Sequence, residues 1–184
     1  MKERLITLIV AIIMIGLCIV SASAEEKEYE TATIIWDYLL EQEYSETVAA
    51  AILGNIMAEV GGQTLDIDAT AGSKNYYGIC QWSYKYCSDV FGKNLEEQLD
   101  YLNKTMEKEF NTFGNQYKSN FKFSDFLEMT DTREAALVFS KCYERNMPES
   151  YSVRQDNAAI AYEYFHKENN KQLLLFHIQK FIRT

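Results

Sequence analysis

Residues 52–62, ILGNIMAEVGG, decide how this chain is read. From Thr47 to Ala58 no residue is charged, and then a single carboxylate, Glu59, stands just before Gly61-Gly62. Ser45 is a good N-cap, so the pattern predicts a helix from there to about Val60. The glycine pair supplies the left-handed residue that ends it. On such a helix Glu59 falls on the face of Ile52, Asn55 and Ile56, seven, four and three residues back. It therefore continues a largely buried stripe, at the end where the helix macrodipole is negative. Both effects disfavour the ionised form. Burial is the larger, since the dipole contributes only about 0.3–1 kcal/mol. A carboxylic acid that keeps its proton near neutral pH suits general-acid chemistry. A glutamate in the last turn of a helix is more commonly solvated at the surface, so other residues must decide.

Helical periodicity extends along most of the chain. Residues 31–43 place Ile34, Ile35, Tyr38 and Leu39 on one stripe. Asn94 and Glu97 form a capping box for a helix to about Phe110. Thr130 or Asp131 caps TREAALVFSKCYER, and Ser152 starts the last long helix, with Pro148, the sole proline, in the gap between. Residues 62–76 are rich in Gly, Asp, Thr and Ser and read as a loop, followed by a short uncharged piece, YYGICQWS, at 76–83. Residues 111–123 read as a polar and aromatic connection. The tail from Asn169 turns apolar and basic, which fits a docking helix, a membrane-surface contact or a loosely ordered end.

The first 24 residues resemble a cleaved secretory signal: Lys2 and Arg4, an apolar run from Leu5 to Val20, then Ala22-Ser23-Ala24. An exported, extracytoplasmic protein is expected. Without that segment, 16 basic and 26 acidic residues remain, a net charge of −10. No basic stripe offsets this charge, so a nucleic-acid partner is not expected. Cys80, Cys87 and Cys142 permit at most one internal disulfide and otherwise serve as small buried hydrophobes. No pair of cysteines or histidines has zinc-ligand spacing, and no metal or organic cofactor is implied.

Three motifs in order carry a family resemblance. IWDYLLEQEYSETVAAAILGNIMAEVGG, then YYGICQWS, then AALVFSKCYER resemble the phage tail lysozyme family, in the superfamily of goose-type lysozymes and lytic transglycosylases. The likeness runs from about Ile34 to Phe165. It implies an all-α lysozyme-like single domain over residues 31–168, between the signal at 1–24 and the tail at 169–184. It implies further that Glu59 is the general acid and that Gln81 lines a glycan-binding cleft. Glu144 matches the acidic residue of the third motif, where a structural role explains it equally well. Two features depart from the expected pattern. Ser83-Tyr84-Lys85 stands where relatives carry an arginine-rich patch, and Pro148 is displaced from its expected place after Glu144-Arg145.

Tyr77 and Trp82 can stack on sugar rings or pack in the core. Asn55, on the stripe of Glu59, is a further substrate-binding candidate. Asp66 and Asp68, in the loop between Glu59 and Gln81, are candidates for a second catalytic carboxylate and equally ordinary loop residues. The expectation is a monomeric enzyme acting on peptidoglycan glycan strands at the bond between N-acetylmuramic acid and N-acetylglucosamine. Hydrolysis is favoured over lytic transglycosylation. The other reading is a non-catalytic binding module on the same fold.

Overall fold

The computed structural model describes residues 29–182 except 63, 64 and 73, without the side chains of 172–182. The segment 1–24 lies outside the described residues. The described chain is mainly helical, with seven helices and one small three-stranded sheet.

Helix α1 (Glu30–Glu41) buries Ala32, Ile35, Trp36 and Leu39. Helix α2 (Glu46–Val60) begins where the sequence places it, with Ser45 Oγ accepting from the Val48 amide at 3.2 Å. It ends on Gly61, whose φ of 93° is the left-handed cap. Every residue from Val48 to Met57 is buried, so α2 is a central helix covered on all sides rather than an amphipathic one.

The loop reading of 62–76 and the piece at 76–83 fold together into the sheet. Strands β1 (Thr70–Ala71), β2 (Tyr76–Tyr77) and β3 (Trp82–Ser83) are antiparallel in that order, with Thr70 opposite Tyr77 and Tyr77 opposite Trp82. Strands of two residues are too short to show alternation, so the sequence carried no periodic signal for them. A buried side chain from outside the sheet holds them. Gln98 Oε1 accepts from the Ile79 amide at 2.9 Å, and Gln98 Nε2 donates to the carbonyls of Ile67 and Lys93.

After a short turn, α3 (Tyr84–Cys87), helix α4 runs from Leu95 to Phe113 behind the predicted Asn94–Glu97 capping box. Helix α5 (Phe123–Leu127) contributes Phe126 to an aromatic cluster with Phe110, Phe123 and Phe139. Helix α6 (Thr132–Phe139) is capped by Asp131 and continues into a π-helical turn, Ser140–Glu144. Arg145 follows in the left-handed region at φ 58°. The last helix, α7 (Tyr151–Ile182), runs through residue 169 without a break. Asn169 there donates to Glu46 at the start of α2. Cys80, Cys87 and Cys142 are free thiols.

α2 and α7 cross at Gly54. A Cβ built on Gly54 would lie 2.3 Å from the Ala158 nitrogen and 2.5 Å from its Cα, so only glycine permits the crossing. Neighbouring backbone cannot yield as a flexible side chain can. Gly54→Ala is therefore expected to destabilise the domain by about 1–3 kcal/mol or more, read as a lowered urea midpoint at unchanged slope.

Candidate active site

The close crossing of α2 and α7 brings Arg154, one turn before Ala158, against Glu59. Arg154 Nη2 donates to Glu59 Oε1 at 2.6 Å, with the arginine side chain 5% exposed and the glutamate 15%. Glu59 thus sits at the end of the buried helix as expected, but with a cation beside it that the helix pattern alone did not contain.

Arg154 is held from several directions. Its Nη1 donates to the Asn55 carbonyl at 3.2 Å and to Asn55 Oδ1 at 3.3 Å, and its Nε donates to Ser150 Oγ at 3.3 Å. Asn146 completes the cradle. With its amide turned so that both ends are satisfied, its oxygen accepts from Arg154 Nη1, Nη2 and Nε at 3.1, 2.8 and 3.2 Å.

A second carboxyl, that of the part-buried Glu144, lies near enough to feel the charges of Glu59 and Arg154. The π-helical turn turns Glu144 inward, where its Oε1 is sealed from solvent and accepts no hydrogen bond. Burial, reinforced by the negative charge of Glu59, pushes its pKa up to about 8, against the pull of Arg154, the Cys80 thiol and Arg145. Cys80 ties the sheet to this pocket. Burial raises its own pKa well above the ordinary thiol value, with Glu144 and Glu59 adding to the effect.

The remaining candidates fall in different places. Gln81 adjoins Cys80 and takes a left-handed backbone, φ 44°, with Nε2 donating to the carbonyls of Ala69 and Gly78. Among the described residues nothing donates to its Oε1, which leaves that acceptor available. Asn55 is wholly buried and donates to the carbonyls of Ala51 and Ala136. It cannot touch a glycan. Placing it among substrate contacts is corrected: it links α2 to α6 and braces Arg154.

Tyr77 and Trp82 are each 7% exposed. Tyr77 packs on Phe91 and donates to Asp68 Oδ1 at 2.8 Å. Trp82 donates from its ring nitrogen to Tyr143 Oη and meets Tyr101 edge-on. Both act as supports of the sheet. The aromatic faces open to solvent here belong to Tyr76, Tyr84 and Tyr86. Asp66 and Asp68 are exposed, and Asp66 Oδ1 accepts from the Asp68 amide at 3.0 Å. No hydrogen bond or ion pair among the described residues joins either to Glu59.

Arg154 and Asn146 stand beside Glu59 without having been singled out from sequence, whereas Glu144 had been matched to the acidic residue of the third motif. Arg154 did carry a readable signal, because it continues the stripe of Ala158, Ala161 and Phe165 at four, seven and eleven residues.

The raised Glu144 has a consequence for stability. Its carboxyl binds a proton more tightly folded than unfolded, where the ordinary value is 4.5. The stabilisation is complete below that value and is lost as pH rises toward about 8. Thermal midpoints followed by circular dichroism are expected to fall between about pH 5 and pH 8, and Glu144→Gln is expected to flatten that fall.

None of the curated proteins compared with the chain matches it. A family comparison does: the phage tail lysozyme model covers residues 30–165, from the start of α1 into α7, and takes in Glu59, Gln81, Glu144 and Arg154. The general activity of that family is lysis of peptidoglycan, and this chain belongs to the phage tail lysozyme family.

Proposed function

We propose that the protein is a muramidase that hydrolyses the β-1,4 bond between N-acetylmuramic acid and N-acetylglucosamine, with Glu59 donating the proton to the leaving oxygen. The observation that carries this reading is the position of Glu59. It is a part-exposed carboxyl at the end of a buried helix, fixed by a buried arginine beside the Cys80–Gln81 turn. Gln81 Oε1 accepts from a sugar hydroxyl or acetamide N–H. The exposed rings of Tyr76 and Tyr84 offer flat apolar faces to sugars.

The attacking group follows from the loop. Asp66 and Asp68 are engaged with the loop backbone and Tyr77, yet both are exposed and stand between Glu59 and Gln81 in the chain. Either can orient a water once glycan is bound, and hydrolysis is the reaction proposed. Because Asp68 is already committed to Tyr77, attack by the sugar's own 6-hydroxyl is the second reading. It gives anhydromuramic ends instead of reducing ends. We further propose that the protein acts as a monomer outside the cytoplasm, as the leader-like residues 1–24 suggest.

Purified protein lacking the leader is expected to clear cell-wall suspensions, and Glu59→Gln to lower the rate by roughly 10²–10⁴-fold while remaining folded. Near-normal clearing by Glu59→Gln would remove Glu59 from the mechanism. Mass spectrometry of the digested glycan is expected to find reducing ends. Products lighter by one water would replace hydrolysis with transglycosylation and leave the acid unchanged.

A further inference from the structure

Among the side chains described, Lys141 is the one lysine that is half-buried; every other described lysine is exposed. It stands in the π-helical turn Ser140–Glu144, the turn that leads to Asn146. Its Nζ lies 5.8 Å from the centre of the Tyr117 ring and 5.7 Å from that of Tyr151. Two aromatic faces at this range hold an ammonium in place but leave its charge uncancelled.

The acids of this region do not cancel it either. Glu134 accepts from Tyr117 Oη at 2.5 Å, and Glu109 pairs with Arg145 at 2.5 Å. Ion pairs among the described residues join Lys93 to Glu97, Lys167 to Glu163 and Lys171 to Glu168, and none includes Lys141. The chain has 27 acidic residues against 18 basic, and a lysine drawn out of water is ordinarily met by a carboxylate. A half-buried cation without an anion is the exception here.

The same cation is joined to Glu59 by a continuous set of contacts. Tyr151 Oη donates to the Asn146 carbonyl at 3.1 Å. The Asn146 side-chain oxygen accepts from Arg154, whose Nη2 reaches Glu59 at 2.6 Å. Tyr151 also follows Ser150, whose Oγ accepts from Arg154. Lys141 is thereby fixed relative to Glu59. Asn146 and Tyr151, which lie between them, are part-exposed, and Met147 beside them is 71% exposed, so this wall opens to solvent.

We propose that Lys141 anchors the substrate: held between Tyr117 and Tyr151 on the wall that carries Glu59, its ammonium takes a carboxylate of the branch that N-acetylmuramic acid bears on its 3-oxygen. This rests on the reading of the protein as a muramidase. The two alternating sugars of peptidoglycan differ in that branch, a lactyl ether. Its carboxyl is free on bare glycan strands and is extended by the carboxylates of the stem peptide where one is attached. Contact with Lys141 gives the branch a charge-assisted hydrogen bond on an otherwise acidic surface.

Lys141→Met keeps the apolar stem of the side chain and removes its charge. The wall concentration giving half-maximal clearing is expected to rise roughly three- to thirty-fold in this variant, with the maximal rate little changed, and Lys141→Arg to recover most of the loss. On walls whose carboxyl groups have been converted to amides, Lys141→Met and the unsubstituted protein are expected to coincide. Strands stripped of their stems by an amidase separate the two sources of carboxylate. A loss that persists there assigns the lactyl carboxyl, and one that vanishes there assigns the stem.

Equal half-maximal concentrations for Lys141→Met and the unsubstituted protein on untreated walls overturn the proposal. A loss as large on amidated walls as on untreated ones overturns it too, because packing alone then accounts for Lys141. Binding of soluble stem-bearing strands to Glu59→Gln, with and without Lys141→Met, reads the anchor without any cleavage. If Lys141→Met weakens that binding while the unsubstituted protein clears no walls, the anchor stands and the muramidase reading fails.

Discussion

Arg154 is almost wholly removed from water, and a buried guanidinium persists only where its charge and its donors are met. Glu59 meets the charge, and Asn55, Ser150 and Asn146 meet the donors. This requirement organises much of the molecule. It needs α2 and α7 to cross closely, which Gly54 permits. It needs Asn55 to be fixed, which the Ala136 carbonyl on α6 achieves. It also needs the chain after α6 to turn back sharply, which the π-helical turn and the left-handed Arg145 accomplish. A buried ion pair adds little net stability compared with apolar groups of the same volume. The expense of keeping it is better explained by a site than by the fold.

The same reasoning separates what was legible in the sequence from what was not. Glu59 was found because a charge on an apolar stripe needs a reason. Arg154 obeys the same rule on α7, yet its stripe of alanines reads as weakly apolar, and the partner across the crossing is 95 residues away. Helix starts at Ser45, Asn94 and Asp131 were readable because capping is local chemistry. Glu144 was matched to the third motif, but its inward placement was opaque for the opposite reason. A regular α-helix would aim that residue elsewhere, and nothing in SKCYE announces the extra residue in its turn.

The sheet shows a third kind of limit. In YYGICQWS, one tyrosine of the pair must face in and the other out, but parity alone does not say which. The hydroxyl of Tyr77 reaches Asp68 and the Lys93 carbonyl, and this pins Tyr77 inward with Tyr76 outward. The residues most suggestive of sugar stacking in the sequence, Tyr77 and Trp82, are thus the ones the fold spends on holding the turn that presents Gln81. Gln98 serves the same turn from α4. The exposed side of this turn is built on side chains whose own contacts are internal.

The charge of the protein bears on how such a surface engages its substrate. A chain with a net charge of −9 gains no long-range attraction to an anionic cell wall, so encounter is not assisted by steering. Retention at the glycan has to come from short-range contacts, which salt screens little: aromatic faces on sugar rings, and hydrogen bonds to acetamide and hydroxyl groups. The exposed Tyr76, Tyr84 and Tyr86, with Lys85 lying over the Tyr86 ring, are suited to that role. They also explain how the site can hold a cation without being basic. Arg154 is spent inward, paired with Glu59, and leaves the surface around Tyr76, Tyr84 and Tyr86 governed by shape and apolar contact.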